Sequence, residues 1–506
     1  MTWFSAASKH GVVQNLAATI GAVAEREPER VAVLWEDRSL AFPEVVSEAE
    51  KAAGWLRRHG VRPGDRVAIG LPNGPELLVA ALGVVGLGAV LVPLNPAYTV
   101  DEACYVVGDA GAKLAVCEGH QGEALAAAGF EVVAALGRGG RFPLPDCSAA
   151  LDEPALIVYT SGTTGRPKGA VLSHRALVTN LETVRAAWRW MPGDRLLLAL
   201  PCFHLHGLAL GLFGSLLAGS SIIWRPRFVA EDALAQVAQH RATMFFGVPT
   251  MYNRLAALPE ATLRKHDLGS VRLWVCGSAP LTAATFTLFE ERFGHRILER
   301  FGMSEGGFMI AAPYEGPRQA GAVGRPLPGI DVRLVEAEAA DSGRLVDVPD
   351  GQQGEIVVRG PNLFSGYWGR PEETRRAFID GFFRSGDLAV RGSDGMIRIT
   401  GRSSVDIIKT RGFKVSAVEI ENRLQGHPSV QEVAVVGVPD PDQGERIVAV
   451  VTPSPGMTAD AEALRVFAAE RLAPHKVPGE IVFIEEIPRT GPGKFSKRLL
   501  ISRLSR

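Results

Sequence analysis

Between Tyr159 and Gly169 the chain reads Tyr-Thr-Ser-Gly-Thr-Thr-Gly-Arg-Pro-Lys-Gly. Thr160, Ser161, Thr163 and Thr164 supply hydroxyls, Gly162 and Gly165 bend the backbone tightly, and Lys168 adds a cation. Glycines so spaced let N–H groups converge, and the hydroxyls and lysine complete an anion cradle suited to a polyphosphate. A Walker loop needs Gly-Lys followed by Ser or Thr. Here Gly169 follows Lys168, so the magnesium-binding hydroxyl of that pattern is missing. The apolar run Ala155-Leu156-Ile157-Val158 predicts a buried strand leading into the loop.

Further segments with chemical potential follow. Pro201-Cys202-Phe203-His204-Leu205-His206-Gly207 is followed by Gly277-Ser278-Ala279-Pro280-Leu281 and then by Phe301-Gly302-Met303-Ser304-Glu305. Ser385-Gly386-Asp387, Gly401-Arg402 and Pro488-Arg489-Thr490-Gly491-Pro492-Gly493-Lys494 complete the series. In type and order these motifs, with the phosphate loop, resemble those of the AMP-forming adenylating enzymes, a superfamily of acyl-CoA synthetases, peptide-synthetase adenylation domains and luciferases. The resemblance spans nearly the whole chain. It implies activation of a carboxylic acid by ATP to an acyl-adenylate, followed by transfer to a thiol, with ATP, Mg²⁺ and coenzyme A as cofactors.

Attack of a carboxylate on an α-phosphate requires neutralised phosphates and an acid held in line. The resemblance gives Thr160 to Lys168 the leaving pyrophosphate, with Thr160 among the catalytic residues. It gives Gly277, Ser278, Ala279, Phe301 and Gly302 the adenine. Ser304, where Thr is usual, would bond an α-phosphate oxygen, and either hydroxyl serves. Phe301 replaces the commoner Tyr and retains stacking. Glu305 is the candidate Mg²⁺ ligand, since that hard cation takes few protein carboxylates. Asp387, expected in a Gly-Asp turn, suits paired ribose hydroxyls because a carboxylate accepts two hydrogen bonds, and Arg402 at the junction reaches ribose or phosphate. Lys494 is the implied catalytic lysine that bridges carboxylate and α-phosphate. Lys409, Arg411 and Gly412 fall in the segment expected to line a thiol tunnel. Ser403-Ser404-Val405 stands where the hinge residue is usual, and Asp406 comes later.

Acid specificity points to Arg300. Glu299-Arg300-Phe301-Gly302-Met303-Ser304-Glu305 resembles the Glu-Arg-Tyr-Gly-Met-Thr-Glu of malonyl-CoA synthetases, and a guanidinium there could bind a second carboxylate bidentately. His204, Leu205, Phe308, Gly247 and Val248 are the other candidate acid contacts, with Arg227 a weaker second cation. Against this, Leu205 and Phe308 depart from that subfamily, and Arg300 could instead pair with Glu299 or Glu305. A short dicarboxylic acid such as malonate or methylmalonate is expected. The alternatives are a short or medium-chain fatty acid, an aryl acid, or loading of a carrier protein in trans.

Composition sets the frame. The 506 residues predict two or more domains with a large core. A net charge of −1 argues against nonspecific nucleic-acid or anionic-membrane binding. Cys104, Cys117, Cys147, Cys202 and Cys276 lack C-x-x-C spacing, so a reducing cytoplasm is expected rather than a disulfide framework or zinc site. The apolar stretch Leu77–Leu94 is broken by Gly83, Gly86 and Gly88, ends near Pro93 and has no basic flank; it predicts a buried helix running into a strand, not a membrane span.

Strand-like runs alternating with helical patterns over four hundred residues argue for α/β architecture with parallel, doubly covered sheets. Residues 119–154 are expected to be irregular. From about Asp331 short β-runs with Gly/Asp turns suggest a small antiparallel β-barrel. We expect a large N-terminal domain over 1–401 that binds ATP and acid, and a smaller, mobile α+β C-terminal domain over 402–506 that carries the lysine.

Overall fold

The structure, a computed structural model, describes residues 15–137, 139–144, 149–160, 167–402, 406–410, 413–440, 443–472, 474–491 and 494–505; of residues 402, 407, 409, 413, 414, 490 and 494 it describes the backbone alone. Among these residues, two large sheets dominate the first three hundred. In one, the strands Leu298–Met303, Leu273–Cys276, Met244–Gly247, Arg195–Leu198, Ser221–Trp224 and Val31–Trp35 lie side by side in that order and all run parallel. Apart from Leu298–Met303, their sequences are largely apolar runs, and Met244–Gly247, Leu273–Cys276 and Ser221–Trp224 are buried at every position. Continuous hydrophobicity is the mark of strands covered on both faces.

The second sheet sets Leu114–Cys117, Arg66–Gly70, Val90–Pro93 and Pro154–Thr160 parallel, in that order. Lys168–Ser173 then turns back antiparallel on Pro154–Thr160, and Gly366–Tyr367 pairs with its outer side. The apolar stretch beginning at Leu77 resolves as expected into the helix Pro75–Gly86 and the strand Val90–Pro93. Among the described residues no helix is long and apolar enough to cross a membrane. Gly83 has a packing role. A Cβ there would lie 2.8 Å from the Ala52 Cβ and 3.2 Å from the Ala49 carbonyl oxygen, both on the helix Phe42–Arg58. The two helices meet at a distance that only glycine permits.

From Asp331 the chain forms an antiparallel sheet of Asp331–Val335, Gln353–Arg359, Phe382–Arg391 and Phe378–Ile379, with Ile397–Arg402 paired to Phe382–Arg391. Beyond it, Ile407–Thr410, Phe413–Ser416, Val430–Asp440, Gly444–Pro453 and Glu480–Phe483 make another sheet, flanked by the helices Ala417–Gln425, Ala461–Ala469 and Lys497–Leu504. Two hydrophobic clusters in this region draw on residues between Ile408 and Leu504 alone. The expected irregularity of residues 119–154 is partly wrong. Gly119–Ala127 is a helix because fully buried Leu125 anchors one face of an alanine-rich turn.

Gly83→Val should lower the unfolding free energy by about 1–3 kcal/mol through overpacking. The check is denaturant unfolding followed by far-UV circular dichroism, where an unchanged midpoint contradicts the close-approach role.

Candidate active site

The phosphate loop closes a β-hairpin. Thr160 ends one strand and Lys168 begins the next, the two facing each other in register. A Walker loop instead opens a helix, so local topology separates the two patterns as firmly as the missing hydroxyl does. Ser161, Gly162, Thr163, Thr164 and Gly165 lie outside the described residues. What flanks them is well braced. Tyr159 donates to Asp109 Oδ2 at 2.7 Å, Arg370 Nη2 reaches Asp109 Oδ1 at 3.1 Å, and Tyr105 donates to the Pro167 carbonyl at 2.9 Å. Burial and its hydrogen bond to Asp109 push the Tyr159 phenol far above its ordinary pKa, so it stays a donor.

Ser304 and Glu305 occupy the turn between Leu298–Met303 and Gly307–Ala311. The turn is held from outside: Asn362 Nδ2 donates to the Gly306 carbonyl, and the Phe364 N–H donates to the Glu305 carbonyl at 2.8 Å. The Glu305 carboxylate is buried, and its Oε1 accepts from Tyr367 Oη at 3.1 Å. Lys168 Nζ lies 5.1 Å from the centre of the same tyrosine ring. Tyr367 therefore links Lys168 to the acidic turn, and its strand pairs with Lys168–Ser173.

The acid end is built where neighbouring parallel strands finish, the usual ligand edge of such sheets. Gly277 and Ser278 follow Leu273–Cys276, Val248 follows Met244–Gly247, and Pro201–His204 follow Arg195–Leu198 at a short remove. After His204, the segment His206–Phe213 winds as a π-helix, a form concentrated at functional sites. His206 is buried. Its Nδ1 lies 3.3 Å from Ser278 Oγ, and Nε2 finds no hydrogen-bond partner among the described residues. Burial, then nearby Arg300 and His204, hold its pKa well below the usual value, so the imidazole is neutral at pH 7. Ser278 has φ +72°, a strained conformation for serine that aims its hydroxyl at this point.

Arg300 is 4 % exposed, with Nη2 3.3 Å from Ser278 Oγ and its guanidinium 4.7 Å from the centre of the Phe308 ring. It pairs with neither Glu299 nor Glu305, which removes the expectation of a purely local ion pair. Glu299 points elsewhere, accepting from the Gly321 N–H at 2.9 Å, and burial raises its pKa to about 8. Burial lowers the Arg300 pKa to about 10, which leaves it charged at neutral pH, and its Nε has no hydrogen-bond partner among the described residues. Gly277 makes room for it, since a Cβ there would stand 2.6 Å from Arg300 Nε.

Leu205 and Phe308 both line a cavity of about 10 Å³. Val248 lies instead on a separate cavity of about 330 Å³ together with Phe203 and Arg227, so Arg227 does not join Arg300. Gly247 is a close-packing position against Phe245 and Tyr252. Phe301 is partly buried against the main core. Asp387 sits inside the strand Phe382–Arg391 rather than in the expected turn, because Arg402 pairs with it across the sheet and its N–H bonds Ser385 Oγ at 3.0 Å. Arg411 and Gly412 lie outside the described residues, as do the side chains of Arg402, Lys409 and Lys494. Three residues beyond Lys494, Lys497 Nζ lies 2.5 Å from Asp406 Oδ1 and 2.6 Å from Glu421 Oε1, tying the last helix to the start of this region.

The AMP-binding enzyme family matches residues 21–368, and the AMP-binding enzyme C-terminal domain matches 419–494. The chain belongs to the AMP-binding enzyme family. It is 38 % identical to a feruloyl-CoA synthase of Amycolatopsis over 94 % of this chain and 96 % of that one. It is 35 % identical to a mitochondrial malonate–CoA ligase of Xenopus laevis, over 86 % and 82 % of the two chains. ATP-bound MatB from Rhodopseudomonas palustris superposes with a TM-score of 0.87 at 36 % identity, covering 97 % of this chain and 99 % of that one. The protein is an AMP-forming acyl-CoA synthetase that uses ATP, a small carboxylic acid and coenzyme A.

In this synthetase the candidate site residues left out Tyr367, the bracing group of Tyr105, Asp109 and Arg370, and His206, although His206 lies inside one of the motifs. Tyr367 and Arg370 follow the acidic turn by sixty residues or so and become neighbours only through strand pairing. The signal for His206 was available in the His-x-His spacing of residues 204–206.

Tyr367→Phe should slow acid-dependent pyrophosphate exchange about ten- to a hundredfold, the value of a hydrogen bond to a charged group. An unchanged exchange rate would mean that Tyr367 serves packing alone.

Proposed function

We propose that this synthetase activates a short dicarboxylic acid, malonate or a 2-substituted malonate such as methylmalonate. The observation that carries the proposal is Arg300: a buried, charged guanidinium with no carboxylate partner among the described residues, lying beside Ser278 and a neutral His206. A buried cation without a counter-charge costs several kcal/mol, so a protein keeps one where a ligand supplies the anion. One carboxylate of malonate would take Arg300 and Ser278, leaving the other to react. The likeness to a malonate–CoA ligase supports the same acid. An aryl acid is the second reading, favoured by the feruloyl-CoA synthase likeness and by the apolar Leu205 and Phe308.

In the first step a carboxylate oxygen attacks the α-phosphorus of ATP, and the bond to pyrophosphate breaks. Thr160, Lys168 and the intervening Ser161, Gly162, Thr163, Thr164 and Gly165 grip the leaving group. Ser304 bonds an α-phosphate oxygen, Phe301 and Gly302 with Gly277–Ala279 hold adenine, and Asp387 with Arg402 holds ribose. Lys494 bridges the reacting carboxylate and the α-phosphate, and His204 faces the acid. In the second step the thiol, guided by Lys409, Arg411 and Gly412, attacks the acyl carbonyl and AMP leaves. We assign ATP and acid binding to residues 1–401, and to 402–506 a mobile unit that brings Lys494 to the first step.

Magnesium belongs to this reading. Among the described residues no three His, Cys, Asp or Glu side chains cluster for a metal. The single buried carboxylate of Glu305 therefore fits a hard cation that keeps phosphate oxygens and waters as its other ligands. Such an ion would neutralise phosphate charge. The described cysteines Cys104, Cys117, Cys202 and Cys276 are free thiols, which supports a reducing compartment, and we propose the cytoplasm.

Arg300→Ala should lower kcat/KM for malonate by roughly thirty-fold to several-thousand-fold, the cost of removing one partner of a desolvated charge pair. Butyrate should lose much less, because its tail never meets the guanidinium. A parallel fall for both acids would overturn the proposal. Lys494→Ala should slow adenylation by about 10²–10³ while sparing thioester formation from supplied acyl-adenylate, and equal losses in both half-reactions would contradict its role.

A further inference from the structure

The helix Lys497–Leu504 begins three residues after Lys494. Its body is held by apolar packing, with Leu500 buried in a cluster with Val436, Val448 and Val450. Its first residue is held differently. Lys497 Nζ lies 2.5 Å from Asp406 Oδ1 and 2.6 Å from Glu421 Oε1, and the three side chains are only 11, 16 and 15 % exposed. Burial works against the charge, yet the two carboxylates outweigh it and hold the Lys497 pKa above its ordinary value. The ammonium is thus spent inside the protein and is not the group that meets a phosphate.

The helix does not account for this lysine, because a cation in the first turn meets the positive end of the helix dipole. Stability does not account for it either. Three charges taken out of water lose much of what their attraction returns, and apolar side chains of similar size often hold such a contact as well or better. What an ammonium between two carboxylates supplies is one geometry, where an apolar contact tolerates several.

That geometry joins separate pieces of chain. The Asp406 carbonyl accepts from the Ala417 N–H at 2.7 Å, and a Cβ on Gly401 would come within 2.8 Å of the Asp406 Cβ. Asp406 is therefore packed against the strand Ile397–Arg402. Glu421 belongs to the helix Ala417–Gln425, and its Oε1 also accepts from the Val435 N–H at 2.7 Å. On the other side of Lys497, the strands Arg489–Gly491 and Lys494–Phe495 form a short hairpin that sets Gly491 opposite Lys494. The Ser496 N–H closes its base by donating to the Pro488 carbonyl at 2.7 Å. Only Phe495 and Ser496 stand between the clamped ammonium and Lys494.

We propose that Lys497 is a positioning residue for adenylation: gripped by Asp406 and Glu421, it fixes the hairpin of Lys494 with respect to the junction at Gly401 and Arg402. The proposal rests on the adenylating role of Lys494, and the test separates the two.

The test uses the full-length enzyme and whichever acid supports pyrophosphate exchange. Lys497→Met keeps the aliphatic stem and removes the charge. It should lower kcat for exchange about a hundredfold, the scale of an ångström's misplacement of a reacting group, with the KM for ATP nearly unchanged. Thioester formation from supplied acyl-adenylate should fall little, and that half-reaction also reports that each preparation is folded. Lys497→Arg, which keeps the cation, should recover most of the exchange rate. Asp406→Asn should give a smaller loss of the same kind, and it decides the matter if Lys497→Met does not fold. Lys494→Ala combined with Lys497→Met should be no slower in exchange than Lys494→Ala alone, because Lys497 acts through Lys494. The proposal is overturned by wild-type exchange in Lys497→Met, by parallel loss of both half-reactions in Lys497→Met and Asp406→Asn, or by multiplied losses in the double variant. Those results leave the role of Lys494 standing. That role fails separately if Lys494→Ala itself does not slow exchange, and the proposal then falls with it.

Discussion

A single buried guanidinium sets the terms of this active site. Arg300 is charged at neutral pH, almost wholly out of water, and without a carboxylate partner among the described residues. The surrounding structure is arranged to tolerate it. Gly277 has no side chain, so the guanidinium can lie against the backbone, Ser278 adopts a left-handed φ, and Phe308 offers a ring face. His206, held neutral by burial, adds no second charge. Each adaptation makes sense if an anion arrives from outside, and none of them neutralises the arginine on its own.

The end proposed for the phosphates is braced at its flanks. Its loop spans a hairpin whose two strands are locked to the rest of the sheet by Tyr105, Asp109, Tyr159 and Arg370. Tyr367 then couples Lys168 to Glu305, so that residues far apart in the chain become one unit. Preorganised donors are worth more at a developing charge than donors that must reorganise, because the cost of ordering them has been met in folding. The two ends share one strand-and-turn: Leu298–Met303 carries Arg300 near its start and leads directly into Glu305.

Much of this was legible in the residues. The continuous apolar run Ala155–Val158 announced a buried strand, and the glycines of Leu77–Leu94 announced a helix and a strand in place of a membrane span. The motif order pointed to the family. Contacts made through sheet pairing were not legible, because local sequence does not record which edge strand lies beside which. Tyr367 met Glu305 for that reason, and Arg227 lines a cavity that Arg300 does not reach. Asp387 looked like a turn residue from its Gly-Asp context, yet pairing with Arg402 drew it into a strand. Leu125 supplied the buried anchor that made a helix of a segment whose composition looked irregular.

The central claim is that Arg300 makes this synthetase selective for a second carboxylate. Competition tests it most directly: wild-type enzyme is given ATP, coenzyme A and an equimolar mixture of malonate, butyrate and ferulate, and the thioesters are resolved by mass spectrometry. Malonyl-CoA should dominate the products at early times. A product mixture dominated by butyryl-CoA or feruloyl-CoA would contradict the account and assign Arg300 a structural role.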